Sequence, residues 1–252
     1  MENMWQDCPP ELVLSQNTIQ IWLASLDWSL PGTRNLQAIL SEEERDRSQA
    51  FYFEKDRRHF IVARGLLRLI LGQCLGIRPG TLEFDYGEYG KPVLKQGRGE
   101  DTLQFNISHS NGRALIAVAQ NRLVGVDIEY MRPDPKRLEI ADRFFSPREV
   151  AALRSLPNHL QEAAFYTCWT RKEAYIKATG KGLALGLEQF DVSLLPTEKP
   201  ALLRNDHDPG EVSRWVFYTL PSLPGYAAVL IAEGPPVEVK CWQWFEELQE
   251  TS

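Results

Sequence analysis

The sequence predicts an α+β fold of two similar lobes, each a small antiparallel sheet packed with helices, meeting at a cleft. Three observations carry that expectation. A strand, a capped helix, a long helix and further strands follow one another twice along the 252 residues. A serine followed three residues later by a glutamate, the mark of a capping box, occurs in each half, at Ser41/Glu44 and at Ser146/Glu149. Hydrophobic content of 43% and charged content of 25% are those of a globular chain long enough for one large core or two linked ones. The lobes are placed at residues 1–120 and 121–252.

In the first lobe, Thr18 to Leu23 reads as a strand and Ser41 opens a helix. From Asp56 to Leu75 the apolar residues Phe60, Ile61, Leu66, Leu67, Ile70 and Leu71 recur at helical spacing, and Gly76 ends the run. A strand near Leu82 to Tyr86, a turn over Tyr89, Gly90, Lys91 and Pro92, and strands near Gln104 to Ser108 and Ala114 to Ala119 complete it. The second lobe begins with the strand Val124 to Tyr130, and Pro147 occupies the favoured first position of its capped helix. A long helix over about Leu160 to Thr179 follows, then strands near Phe190 to Leu194, Trp215 to Leu220, Tyr226 to Ala232 and Val237 to Trp244. Residues 195–214 are polar and turn-rich and read as a surface loop, with His207 solvated in it.

A net charge of −6 and a pI near 5.4 argue against a dedicated nucleic-acid binder. No stretch approaches the roughly 20 apolar residues of a membrane span, and the first ten residues lack both the basic and the apolar part of a secretion signal. A cytosolic protein, touching neither membrane nor nucleic acid, is expected. Cys8, Cys74, Cys168 and Cys241 form no CxxC pair, so neither a zinc site nor a redox motif is suggested; Cys74 and Cys168 read as reduced core residues.

The chemistry concentrates in two segments. In VGVDIEY, Asp127 and Glu129 stand two apart in an otherwise apolar strand and so project to one face, where two carboxylates need a cation. In WTRKEAYIK, Glu173 and Lys177 are four apart and share a helix face that Trp169 also approaches. Alone, that pair would be an ordinary surface pair contributing about 0.3–0.5 kcal/mol. Together, three carboxylates with lysines beside them suit Mg²⁺, an oxygen-seeking ion usually held by carboxylates and substrate phosphates. Mg²⁺-dependent nucleases share such a set, but the acidic pI speaks against one. Upstream, Ser108 and His109 can donate hydrogen bonds to an anion, although neighbours in sequence do not make a hydrolase dyad. Arg64, set among apolar positions, needs a charged partner, and a phosphate would be one.

These residues carry a resemblance. The chain has Gly125, Asp127 and Glu129, then Phe145, Ser146 and Glu149, then Trp169, Lys172, Glu173, Ala174 and Lys177, together with Gly90-Lys91-Pro92 and the segment Asn106 to Ser110. In order and spacing it resembles the Sfp-type 4′-phosphopantetheinyl transferases, including their cyanobacterial members, over about residues 20–232. The resemblance implies two lobes in pseudo-twofold relation within a monomer, with the active site in the cleft between them. It implies transfer of 4′-phosphopantetheine from coenzyme A to a serine of acyl or peptidyl carrier proteins, with release of 3′,5′-adenosine bisphosphate.

By the same resemblance, Asp127, Glu129 and Glu173 would hold Mg²⁺, or Mn²⁺, against the coenzyme A diphosphate. Lys177, His109 and Ser108 would contact its oxygens, and Glu173 would also be the base for the serine hydroxyl. Arg64, with Arg57 or Arg58, would answer the 3′-phosphate, and Tyr89, Gly90, Lys91 and Pro92 would frame the adenine. The basic stretch Arg132, Lys136 and Arg137, with Arg143 beyond, is expected to help dock an acidic carrier protein.

Overall fold

The β-branched and aromatic run of Thr18–Ser25 forms β2, which follows a two-residue strand, β1 (Gln6–Asp7). Alternation sorts β2 cleanly: Trp22 and Ala24 face one core, and Ile19, Ile21 and Leu23 face another. Helix α1 (Leu30–Ala38) is capped by Ser29, and α2 (Glu42–Gln49) opens on the expected capping box of Ser41 and Glu44. Helix α3 (Glu54–Leu75) ends on Gly76 in the left-handed conformation. After a 3₁₀ turn at Pro79–Thr81 come β3 (Phe84–Tyr86), β4 (Pro92–Leu94), β5 (Leu103–Ser110) and β6 (Arg113–Gln120).

The second half repeats the plan. Strand β7 (Val124–Tyr130) leads to α4 (Arg137–Phe144), α5 (Pro147–Ser155) and α6 (Asn158–Thr179). Helices α3 and α6 are both 22 residues long, and both end on a left-handed glycine, Gly76 and Gly180. A 3₁₀ turn at Leu187–Gln189 precedes β8 (Phe190–Val192) and β9 (Leu202–Asn205), followed by α7 (Glu211–Arg214), β10 (Trp215–Thr219), β11 (Tyr226–Glu233) and β12 (Glu238–Trp244). This computed structural model describes all residues except 1–3, 10, 11, 13, 89, 96–101, 196 and 247–252, and the side chain of Leu183.

The antiparallel arrays β5-β6-β2 and β10-β11-β7 match strand for strand. They stack face to face through Ile19, Ile21, Leu115 and Ala117 on one side and Val126, Ile128, Leu230 and Ala232 on the other. Helix α3 covers the outer face of the first sheet through Leu66, Leu67 and Ile70, and α6 covers the second through Phe165, Cys168 and Ile176. The result is helix, sheet, sheet, helix.

Two local expectations are corrected. The last strand does not join the second lobe, because β12 pairs in parallel with β2 and β1 pairs in parallel with β12. Residues 195–214 are not simply a loop, since β9 and α7 lie within them. Helix α4, which the sequence did not announce, opens at Arg137 of the basic stretch after β7. Cys168 is fully buried as expected and Cys74 is half-buried, and all four cysteines are free thiols.

Candidate active site

Strand β7 carries the two carboxylates between two walls. Its first wall is α6, whose backbone crosses at Gly125: a Cβ there would fall on the carbonyl oxygen of Ala174 and 2.7 Å from the amide nitrogen of Ala178. Only glycine lets the helix come down onto the strand, bringing Glu173 and Lys177 over Asp127. The second wall is β5, whose alternate residues Asn106, Ser108 and Ser110 face β7. The Asn106 side-chain oxygen Oδ1 accepts the Val126 N–H at 2.9 Å, the Ser108 hydroxyl donates to Asp127 Oδ1 at 2.7 Å, and the Ser110 hydroxyl donates to Glu129 Oε2 at 2.7 Å. This polar ladder stitches the lobes at their seam. Ser110 and Asn106 had no assigned role in the sequence reading; polar residues at every second place of an apolar strand were the available signal.

Asp127 is 2% exposed. Its Oδ1 accepts from Lys177 Nζ at 2.6 Å as well as from Ser108, and Lys177 also donates to Ser108 at 3.0 Å. Its Oδ2 is buried with no hydrogen-bond partner. A bare oxygen on a buried carboxylate is costly unless something else binds it. Burial, and then the charge of Asp127, raise the Glu173 carboxyl above its ordinary range. Burial raises Glu129 too, against the opposing hydrogen bond from Ser110. Among the described residues, no group of three or more His, Cys, Asp or Glu stands closed as a ready-made metal cage. The donor set still fits a hard cation: three carboxylates whose charges oppose one another, one with an unpartnered buried oxygen.

His109 lies on the opposite face of β5 from Ser108 and opens outward. The surrounding protein, and then the positive charge of Lys177, lower its pKa. Gly90, at φ 75°, makes a tight turn closed by its N–H to Gly87 O at 2.8 Å, and Pro92 starts β4. Lys91 reaches across to α6, where its Nζ donates to the Ala178 carbonyl at 3.3 Å, and burial lowers its pKa to about 8. Tyr89 lies outside the described residues.

Arg64 is corrected. The charged partner it needs is supplied by the fold, as Glu44 accepts from its Nε at 2.9 Å and its Nη2 at 2.6 Å, and the Tyr86 hydroxyl takes a third bond. Its guanidinium is thus committed and buried. Arg57 sits at the surface, paired with Glu54 at 2.5 Å. Lys172, though adjacent to Glu173, is fully buried away from the cleft. A cavity of about 390 Å³ opens beside Glu129, between Ser110, Tyr130, Arg132, Tyr166 and Trp169. A larger one of about 980 Å³ lies by the outer ends of β10 and β11, and none of the three carboxylates lines it.

A two-lobed fold with a carboxylate cleft at its seam is thus defined, and comparison with known proteins says which family built it. Residues 123–231 match the 4′-phosphopantetheinyl transferase superfamily, and residues 28–121 match the family described as 4′-phosphopantetheinyl transferase, N-terminal. The chain is 44% identical over 204 residues to the 4′-phosphopantetheinyl transferase HetI of Nostoc sp., covering 81% of this chain and 85% of that one. It is 32% identical to the 4′-phosphopantetheinyl transferase Sfp of Bacillus subtilis, covering 79% of this chain and 84% of that one. A solved holo-[acyl-carrier-protein] synthase of Thermotoga maritima aligns with 44% of this chain and 61% of its own, at 21% identity and a TM-score of 0.35. The chain belongs to the 4′-phosphopantetheinyl transferase superfamily, whose members use coenzyme A as substrate. It is an enzyme that transfers phosphopantetheine to carrier proteins.

Proposed function

We propose that coenzyme A binds in the cleft between β5, β7 and α6, with Asp127, Glu129 and Glu173 holding Mg²⁺, or Mn²⁺, against its diphosphate. The observation that carries this is the buried, unpartnered Oδ2 of Asp127 beside two carboxyls raised by burial and mutual repulsion. Bound there, the metal would offset charge on the phosphorus under attack. Lys177, already turned inward by Asp127 and Ser108, supplies a second positive charge at the same place. His109 donates to phosphate oxygens from the outer side of β5, Ser108 stands beside the diphosphate with its own proton given to Asp127, and the backbone of Gly90, Lys91 and Pro92 frames the adenine. Arg57 or Arg58 is the remaining answer to the 3′-phosphate, since Arg64 is spent on Glu44.

The serine hydroxyl of an acyl or peptidyl carrier protein attacks the β-phosphorus, and 3′,5′-adenosine bisphosphate leaves. Glu173 takes the proton of that hydroxyl; its raised pKa makes it a stronger base than an ordinary carboxylate. The groove from Glu129 to Trp169, with Arg132 at its side, admits the serine, and Lys136 and Arg137 meet the carrier's acidic helix. The enzyme works as a cytoplasmic monomer of two lobes, residues 1–120 joined by β12, and the remainder of 121–252.

The test is mass spectrometry of apo acyl and peptidyl carrier proteins incubated with coenzyme A and Mg²⁺. The carrier serine should gain about 340 Da. Glu173→Gln should abolish the gain while coenzyme A still binds, and Asp127→Ala should remove metal-dependent binding measured by calorimetry. Full turnover by Glu173→Gln would exclude it as base and as essential ligand.

A further inference from the structure

Lys172 is a fully buried charge with no task in the reaction. Its ammonium pairs with Glu149 Oε2 at 2.7 Å, donates to the carbonyls of Leu187 at 2.7 Å and Phe190 at 2.6 Å, and lies 4.3 Å from the centre of the Phe190 ring. Glu149 is the capping-box residue of α5 and also accepts the Val192 N–H at 2.8 Å. One buried ion pair therefore ties α6 to the start of α5 and to the 3₁₀ turn leading into β8. The first lobe has the same device. Arg68, like Lys172 the fifteenth residue of its 22-residue helix, pairs with the capping-box residue Glu44 at 2.6 Å. It donates to the carbonyls of Pro79 and Leu82, which bracket the corresponding 3₁₀ turn.

The two clamps differ in what lies on the far side of the helix. On α6 the next residue is Glu173, and the helix is pressed onto β7 at Gly125 without room for a methyl group. On α3 the matching residue is Leu69, and there is no chemistry to aim. We propose that Lys172, acting with Glu149, is a positioning residue that holds α6 against β7 from behind and so sets where Glu173 and Lys177 meet Asp127. The proposal rests on the reading of Glu173 as a metal ligand.

The experiment neutralises each clamp as a pair, Glu149→Gln/Lys172→Met and Glu44→Gln/Arg68→Met, with Arg64→Met added to the second because Glu44 is its partner too, so that no buried charge is orphaned. Thermal unfolding is recorded without ligands, and Mn²⁺ binding in the presence of coenzyme A is followed by the loss of the free-ion electron paramagnetic resonance signal. The second-lobe pair is expected to weaken Mn²⁺ binding by about 10–100-fold, the usual effect of losing an outer support of a metal ligand. The first-lobe pair, at a comparable fall in melting temperature, leaves the Mn²⁺ constant unchanged. Phe190→Leu, which keeps both charges but removes the ring beneath the ammonium, shifts Mn²⁺ binding in the same direction and serves if the double variant does not fold. Wild-type Mn²⁺ binding in Phe190→Leu, or equal losses in both clamp pairs, would overturn the proposal. Glu173→Gln separates this from the reading beneath it: if that variant binds Mn²⁺ normally the metal assignment fails, whereas if it does not and the clamp variants do, only the role of Lys172 fails.

Discussion

Lys177 gives Asp127 a counter-ion through one oxygen and leaves the other bare, so charge in the cleft is unfinished on the carboxylate side. Glu173 and Glu129 feel this as raised pKa values, burial being the larger cause in each. A carboxyl raised in the folded state adds stability below its unfolded pKa and loses it as pH rises through the folded value. Without metal, Glu173→Gln should therefore melt higher than the wild type at pH 8 and gain nothing at pH 4; thermal denaturation at the two pH values checks the sign. Lys91 runs the other way, since burial lowers its pKa to about 8 and its charge is lost within a working pH range. Coenzyme A affinity should fall as pH rises through about 8 and hold steady in Lys91→Arg, whose guanidinium stays charged, as calorimetry would show.

Much of the candidate site was legible in the sequence because its residues sit at strand and helix periods: Asp127 with Glu129, and Glu173 with Lys177. The pairing of Arg64 was not, because its partner, Glu44, lies in another helix and had already been assigned a local task as a cap. Nothing in linear spacing says that one carboxylate will serve both a helix start and a buried guanidinium.

Among the elements, α6 bears the most demands. Its cleft face carries Glu173 and Lys177, its sheet face crosses β7 at Gly125, and its rear holds Lys172. Gly125→Ala should cost about 1–3 kcal/mol through overpacking against the α6 backbone, and more in activity than in stability because the helix must lift from Asp127. Urea unfolding beside the transfer assay would show the two losses separately. Helices α2 and α5 were readable through Ser-x-x-Glu at their starts, and α3 and α6 as long runs at helical spacing, whereas α1 was not read. Helix α4 was hidden because Pro133, Pro135 and the charges around them imitate a loop up to Lys136, the residue before it starts.

Across the whole molecule, the repeat is closed by an exchange. Strand β12 leaves the second half and pairs with β2 over Glu238 to Trp244, burying Cys241 and setting Trp242 and Trp244 against the first core. Hydrophobic pattern identifies such a strand but not its partner, which is why it was assigned to its own half. A chain ending after Pro236 should lose at least about 3–5 kcal/mol, the cost of deleting one large core side chain, and β2 amides should lose their hydrogen-exchange protection.

The adjacency of Lys172 and Glu173 also gives α6 a fixed phase. Successive residues turn by about 100° around a helix, so one buried residue and its neighbour at the cleft cannot trade places by any small shift. A single residue inserted within α6 ahead of Lys172 would keep every side chain of the segment and every hydrogen bond of the helix, yet rotate the ammonium and the carboxylate together out of their stations. Substitutions can be absorbed along much of this helix, but its length up to that point is part of the active site.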